Sequence, residues 1–533
     1  MSEKLGNLPG WIRTALEDVA DVELGKTPGR ADYSDSGEVK IVKFRDLGTN
    51  GVDWFTNQRG FLKAAPAPNT PDLRAGDVLV TASAHSSEHV GKKVVFVDHL
   101  PRDLKWVSFV GELLRVRAAG PPTLGKLLRY YLMSEEGYRG IQQHIRGGHL
   151  LASQARQILV PLCGEQQQIR IVAALDSAFS KLDASVTALE RVRANLKRYR
   201  ASVLKAAVEG RLVPTEAELA RREGHDFEPA SVLLDRILAE RRRRWEESEL
   251  ARMKAAGKPP KDDHWKSKYE EPATVNTTEL PELPDGWAYA GLPAIVGASG
   301  EGMKTGPFGT LLQKHEHQAT GIPVIGIENI EPLRFVPGSK IHISAEKAGD
   351  LASYELRAGD LVVSRSGTVG EVCVVPNNLG EARFSTNVMR VRFVSGSPIP
   401  EFIAVLLNGS PFVLSQISDL CRGTTRDFLN QRILAAIIFP IPPSAEQRRI
   451  VAEVDMHCSV ANAIDASLAA AQGRCDRLRQ SILKWAFEGK LVDQDPNDEP
   501  ASVLVERIRS ERATATPSTK SRKAGLHITE AAK

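Results

Sequence analysis

Cysteine is scarce in this chain, five in 533 residues, and poorly placed for chemistry. Cys163, Cys373, Cys421, Cys458 and Cys475 are odd in number and never form a Cys-x-x-Cys pair, which argues against a disulfide framework and against a zinc site. They read as reduced, buried filler. No stretch approaches the roughly 18 consecutive apolar residues of a membrane span, and residues 1–7 lack a signal-peptide stretch. A soluble cytoplasmic protein without a membrane partner is expected. An excess of one charge is also missing. The chain carries a formal +4, residues 8–160 hold 20 basic against 17 acidic residues, and residues 283–440 hold 13 against 14. Any anion-binding surface must therefore come from local placement of Arg and Lys.

Catalytic motifs are absent too. Gly297-Ala298-Ser299-Gly300-Glu301-Gly302-Met303-Lys304-Thr305 nearly spells a phosphate loop, but Met303 separates the last glycine from Lys-Thr and breaks the required geometry. No Asn/Asp-Pro-Pro-Tyr/Phe sequence exists to hold a flipped base for amino methylation. Asp262-Asp263 with Lys266 reads as a solvated charge run rather than a nuclease cluster. His85, Ser86, Ser87, Glu88 and His89 read as a polar loop between strands.

What is present is a duplication. At about 100–200 residues per domain the length calls for several folded units, and the chain repeats itself. Leu8-Pro9-Gly10-Trp11 returns as Leu283-Pro284-Asp285-Gly286-Trp287, and Arg74-Ala75-Gly76-Asp77 as Arg357-Ala358-Gly359-Asp360. Gln168-Ile169-Arg170-Ile171-Val172-Ala173 answers Gln447-Arg448-Arg449-Ile450-Val451-Ala452, and Glu228-Pro229-Ala230-Ser231-Val232-Leu233 returns as Glu499-Pro500-Ala501-Ser502-Val503-Leu504. From 168–213 the match to 447–492 is ungapped, whereas the stretch between the Trp and Arg-Ala-Gly-Asp landmarks has drifted. A shared scaffold carrying two divergent surfaces is the reading; relaxed packing constraints are the competing one.

Residues 165–209 lack proline and place Leu175, Leu182, Leu189, Leu196 and Val203 at heptad spacing, with Val172, Phe179 and Val186 beside them. Val454, Ala461, Leu468, Cys475 and Ile482 repeat the frame, and Gly210 and Gly489 mark helix stops. Two helices of about 45 residues, about 68 Å each at 1.5 Å per residue, are expected to pair with each other. The globular copies read as β-rich, with strands at 77–81, 93–97 and 112–117 and again at 360–364, 371–375 and 388–394, followed by short helices at 124–135 and 400–407. Residues 214–282 are dense in charge, helical to about 254 and irregular beyond. The tail past 512 reads as disordered.

Polar loops fall at equivalent places in the two copies. One pair holds Lys26 and Thr27, and Lys304 and Thr305. A second follows the Arg-Ala-Gly-Asp strands with Ser83, His85 and Ser86, and Arg365, Ser366 and Thr368. A third precedes the long helices with Arg146 and His149, and Arg422, Thr424, Thr425 and Arg426. Arg, Lys and hydroxyl donors beside glycines can reach phosphates, so these sixteen residues are the candidate anion-binding set. Ordinary hairpin turns would explain any one loop taken alone.

The landmarks resemble the specificity (S) subunit of type I restriction-modification systems over residues 8–512. The carrying features are the Leu-Pro-x-Gly-Trp-like openings, the Arg-Ala-Gly-Asp strands, Ser364-Arg365-Ser366-Gly367-Thr368-Val369-Gly370, the run from Phe439-Pro440-Ile441-Pro442-Pro443 to Arg449-Ile450-Val451, and the Leu-Lys-x-Ala-x-Glu-Gly-x-Leu-Val helix ends. One departure is Cys163-Gly164-Glu165 where the second copy has Pro442-Pro443-Ser444. The resemblance implies an α+β fold: two tandem β-rich target-recognition domains separated by two long helices packed as an antiparallel coiled coil, with pseudo-two-fold symmetry. Its segments would be 8–160, the first recognition domain; 161–213, the first long helix; 214–282, a charged helical linker; 283–440, the second recognition domain; 441–492, the second long helix; 493–512, a short repeat of the linker; and 513–533, the tail. It also implies a non-catalytic chain that holds no cofactor or metal and reads a bipartite double-stranded DNA target. Two methyltransferase (M) subunits would bring S-adenosylmethionine, and restriction (R) subunits would bring ATP and magnesium. The alternatives are a fused methyltransferase or endonuclease component and a duplicated protein-binding scaffold.

Overall fold

The computed structural model describes residues 3–4, 8–48, 51–55, 60–64, 69–298, 301–365, 370–394, 396, 399–421 and 429–515. They divide into two compact units. One comprises Met1–Glu190 with Ala469–Lys533, and the other Arg191–Leu468. Each boundary falls inside a long helix, so the first unit is built from two separate stretches of chain.

At the centre of each unit is a four-stranded antiparallel sheet with the same connectivity. In the first unit the order is Ala20–Leu24, Leu113–Ala118, Val78–Thr81, Val94–Phe96. In the second it is Met303–Thr305, Val388–Val391, Leu361–Ser364, Val372–Val374. The strand after Arg-Ala-Gly-Asp reads as an unbroken apolar run because both its faces are covered. Alternate residues of a strand point to opposite faces. Val78 and Val80 enter the main core beside Trp11, Leu124 and Leu128, while Leu79 enters a smaller core with Ile41, Val95 and Phe109. Leu361 and Val363 against Val362 repeat the split. Truncating such a leucine to alanine costs about 2–5 kcal/mol.

The Arg-Ala-Gly-Asp motif makes the turn into this strand. Gly76 and Gly359 adopt φ +94° and +81°, a left-handed conformation that favours glycine. The Asp77 and Asp360 carboxylates accept the N–H of Arg74 and Arg357, both at 2.7 Å. Each also takes a two-pronged contact from an arginine on the neighbouring strand. Arg117 donates to Asp77 at 2.7 and 2.8 Å, and Arg392 to Asp360 at 2.7 and 2.6 Å.

A second set of short strands includes a parallel pair in each unit, Val39–Val42 with Trp106–Phe109 and Ile322–Ile325 with Ala382–Phe384. The strand after each tryptophan pairs with the strand before each long helix: Ile12–Ala15 with Leu159–Leu162, and Ala288–Gly291 with Ile438–Ile441.

The long helices are Glu165–Val208 and Ser444–Phe487, 44 residues each, and they run antiparallel. In the first unit Leu175, Phe179 and Leu182 share a core with Leu483, Ala486 and Phe487, and Arg479 pairs with Asp183 while lying 5.0 Å from the Phe179 ring centroid. In the second unit Val203 and Ala207 pack with Ile450 and Val454, Arg200 pairs with Asp465 at 2.7 Å, and the Tyr199 hydroxyl bonds His457 Nδ1 at 2.6 Å. Both helices stop where the glycines stand. Gly210 and Gly489 have φ +67° and +68°, and the next N–H returns five residues, Arg211 to Ala206 and Lys490 to Trp485, at 2.9 and 2.8 Å.

The repeated Glu-Pro-Ala-Ser-Val-Leu opens a docking helix in each unit. Helix Ala230–Ala255 buries Ala230, Leu233 and Ile237 in the second unit's core, and helix Ala501–Ala515 buries Ala501, Leu504, Val505 and Ile508 in the first's. Ala230 N–H donates to Gly286 C=O and Ala501 N–H to Gly10 C=O, both at 2.8 Å. The stretch read as a linker remnant is thus part of the first unit's core. Its helix extends through 513–515, which were expected to be disordered, because Arg512 is held by Asp21 and by the Glu17 carbonyl. Residues 516–533 lie outside the described residues. Beyond 255 the second unit's segment returns as a short turn, His264–Lys268, whose Trp265 stacks on Trp245 at 5.9 Å.

No single helix among the described residues is long and apolar enough to cross a membrane. The bent apolar pair Pro400–Gly409 and Pro411–Cys421 owes its composition to Phe402, Ile403, Val405, Leu406 and Leu407, all in the core. Cys163, Cys373 and Cys421 are buried and the other two half-buried; burial pushes the Cys373 thiol up to about 12.

Candidate nucleic-acid interface

In each unit three segments meet at one end of the central sheet. In the first unit the entry to strand Leu113–Ala118 organises them. Gly25 N–H donates to Leu113 C=O at 3.0 Å, Gly111 N–H to Thr27 Oγ1 at 3.0 Å, and Ala82 and Ser83 N–H to Glu112 C=O at 2.8 and 3.3 Å. Lys26, exposed, donates its ammonium to Asn69 C=O at 2.8 Å. Leu150 N–H donates to Ala82 C=O at 2.9 Å, and Ser83 bridges to His149. Arg146 and His149 exchange backbone bonds at 3.0 and 3.1 Å around Gly147 and Gly148, with φ +58° and +82°. Two adjacent positive φ values make a tight hairpin turn with both glycines facing open space. Lys26, Thr27, Ser83, Arg146 and His149 are thereby gathered at one sheet end. His85 and Ser86 continue the Ser83 loop, and Ser86 C=O accepts the His89 N–H at 3.0 Å.

The second unit repeats the arrangement. Gly306 N–H donates to Val388 C=O and Arg365 N–H to Asn387 C=O, both at 3.0 Å, matching the Gly25 and Ala82 bonds. The Gln431 amide donates to Thr305 Oγ1 at 2.9 Å, and Arg365 Nε to Leu429 C=O at 3.3 Å, so the segment before the long helix again closes the group. Ser366, Thr368, Arg422, Thr424, Thr425 and Arg426 lie outside the described residues.

Two placements differ from a simple loop picture. Lys304 and Thr305 sit in strand Met303–Thr305, with Lys304 opposite Arg390. Lys304 sets its ammonium 4.6 Å from the Tyr354 ring centroid, and burial followed by Arg390 repulsion lowers its pKa. A phosphate loop requires the Lys-Thr pair at a helix start, so a strand here excludes that reading. Arg365 reaches the sheet end but is 4% exposed; it donates to the Leu429 and Thr386 carbonyls, and burial lowers its pKa. In this conformation it braces the loops.

Sequence reasoning missed the arginines buried within the central sheets. Arg115 and Arg390 hold equivalent mid-strand positions, bonded to Asp72 and Glu23 in one case and to the Glu355 and Glu301 carbonyls in the other. Burial pulls Arg390 down to about 10. The signal was present, since Arg115-Val116-Arg117 returns as Arg390-Val391-Arg392. Among the described residues no group of three or more His, Cys, Asp or Glu side chains could hold a metal. A cavity of about 610 Å³ in the first unit is lined by Lys92, Lys93, Ser134, Glu135, Tyr138 and Arg479; its Ser134 hydroxyl is committed to the helix start, donating to Tyr131 C=O at 2.6 Å and accepting the Gly137 N–H at 3.1 Å.

The fold thus defines a duplicated protein, two units built on the same four-stranded sheet connectivity with polar loops gathered at one sheet end of each. Residues 308–467 match the type I restriction modification DNA specificity domain. The chain is 21% identical to the EcoKI type I restriction enzyme specificity subunit of Escherichia coli K12 and 20% identical to the StySPI specificity subunit of Salmonella potsdam, in each case over 97% of this chain and 99% of the relative. It is 24% identical to the EcoBI specificity subunit of Escherichia coli over 70% of this chain and 69% of that one. A chain from a structure on complex assembly and conformational transition of the type I R-M system shares the fold, with TM-score 0.53 and 18% identity over 91% of this chain and all of that one. The resemblance read from the sequence stands: this chain is similar to type I restriction-modification specificity subunits along nearly its whole length, and the matched DNA specificity domain lies within its second unit. Those relatives are named as specificity subunits of type I restriction enzymes.

Proposed function

We propose that the chain is the sequence-reading subunit of a type I restriction-modification complex and binds a bipartite DNA target, one half-site per unit. The observation that carries this reading is the pair of equivalent sheet ends. The same backbone bonds at Gly25 and Gly306 and at Ala82 and Arg365 hold loops whose side chains differ. A constant frame with variable side chains is what two half-sites of different sequence require, because phosphate contacts fix register while base contacts specify.

On this reading the long helices act as the spacer between half-sites and, with segment 214–282, present docking surface to two methyltransferase subunits. Those subunits supply S-adenosylmethionine chemistry, and restriction subunits supply ATP-driven and magnesium-dependent steps. The paired helices of equal length support the spacer role. The test is selection from a random-sequence DNA library by the chain assembled with its methyltransferase partner. Recovery of a defined two-part sequence is expected. Recovery of no sequence while protein partners still bind would favour a protein scaffold, and methylation or cleavage by the isolated chain with S-adenosylmethionine and Mg²⁺ would favour a fused enzyme.

A further inference from the structure

Each sheet end also presents an exposed phenylalanine backed by a cation, from positions that are not equivalent in the repeat. In the second unit Phe308, 54% exposed, follows strand Met303–Thr305, and the Arg365 guanidinium lies 5.2 Å from its ring centroid. The loop beneath it is fixed. Gly306 is bonded to Val388, the Thr386 hydroxyl donates to Pro307 C=O at 2.7 Å, and Leu311 N–H returns to Phe308 C=O at 3.2 Å. Gly306 passes so close to Ser385 that a Cβ there would stand 1.9 Å from its carbonyl oxygen.

In the first unit Phe44 is 42% exposed, and the Lys93 ammonium stands 4.5 Å from its ring centroid while donating to Leu47 C=O at 2.9 Å. Phe44 opens the turn Phe44–Asp46, closed by Lys43 N–H donating to Asp46 Oδ2 at 2.8 Å. Thr81 N–H donates to Lys93 C=O at 3.1 Å, which sets Phe44 beside the strand end where the Ser83 loop begins.

A single exposed apolar side chain is ordinary. Two that are immobilised, stacked on a cation and set among polar loops at the same sheet end are a designed surface. The cation covers one ring face and leaves the rest of the ring free, while its charge favours a polyanion in front of it. We propose that Phe308 and Phe44 are apolar base readers, each ring pressing on a thymine methyl of its own half-site in the major groove. This rests on the DNA-recognition reading above. It explains how two units of one topology read different bases: the ring is mounted on a different loop in each.

The test compares wild type, Phe308→Ala and Phe44→Ala, each assembled with the methyltransferase partner, on cognate and random duplexes across a salt series. Each variant should lose about tenfold or more in cognate affinity, within the range of a mismatched base pair. Random-duplex affinity and the salt slope should not change, because the ring neutralises no phosphate. Phe308→Ala should relax one half-site and Phe44→Ala the other. Uracil in place of thymine at the relaxed position should reproduce the loss in wild type and add nothing in the variant, and Phe308→Leu should recover most of the affinity. Wild-type affinity and selectivity in both alanine variants would overturn the proposal, as would equal losses on cognate and random duplexes or insensitivity to the thymine methyl. A wild-type complex that selects no sequence would instead overturn the DNA-recognition reading itself.

Discussion

The Asp–Arg forks, at the opposite end of each central sheet from the polar loops, predict unequal costs for the same substitution. Asp360 is 2% exposed in its side chain and accepts three bonds, one from Arg357 N–H and two from Arg392. Asp360→Asn keeps the shape but offers one oxygen, so an amide N–H₂ must face either the Arg357 N–H or the guanidinium. At least one charge-assisted bond of about 1.5–3 kcal/mol is lost, and a donor is left facing a donor. Beyond one bond to the remaining amide oxygen, Arg392 keeps a long contact to Glu355 C=O at 3.3 Å, and its partial exposure spares it the full penalty of a buried unpaired ion. A destabilisation of about 2–4 kcal/mol follows. In the first unit Arg117 keeps the Asp72 carboxylate at 3.1 Å and the Asp72 carbonyl at 3.2 Å, so Asp77→Asn should cost about 1 kcal/mol less, a single retained bond's worth. Urea unfolding followed by hydrogen exchange of strands Val78–Thr81 and Leu361–Ser364 separates the units. Asp77→Asn costing as much as Asp360→Asn, or either costing under about 0.5 kcal/mol, would refute the reasoning.

Glu446, buried at the start of the second long helix, accepts the Trp287 indole N–H and the Glu216 N–H, both at 2.9 Å, and burial raises its pKa despite those bonds and Arg449. A raised folded-state pKa gives stability that is full below the unfolded value of about 4.3 and is lost as pH rises through the folded value. The stability advantage of wild type over Glu446→Gln should therefore shrink as pH rises above about 4; an advantage that grows with pH in urea titrations would contradict this. Inserting four residues near Thr187-Ala188-Leu189-Glu190 adds about 6 Å of helix, so methylation mapping should show an unread gap longer by roughly one or two base pairs, at about 3.4 Å each, with both half-sites unchanged. Altered bases at unaltered spacing would show that the helices are not the spacer.

The repeat made the architecture legible, since copies sharing Arg-Ala-Gly-Asp and a heptad frame have to share a fold, and the apolar runs at 78–81 and 361–364 marked the central strands. The parallel pairs, such as Val39–Val42 with Trp106–Phe109, were not visible. Their partners lie far apart in sequence, and strands of three or four residues carry too few positions to show a period. The docking of helix Ala501–Ala515 onto Gly10 was hidden by nearly the full length of the chain. At the sheet ends the loops were found by their polarity. Which side chains brace and which project could not be read that way, because Arg365 is buried under Phe308 only once Gly306 has brought its loop against Ser385.

The most direct test of the two-reader account is recognition-site mapping of the assembled complex with the wild-type chain and with one whose residues 8–160 come from another specificity subunit. The account predicts two blocks of defined sequence separated by a constant unread gap, with the exchange changing one block and leaving the other intact. A single continuous block, or both blocks changing together, would contradict it.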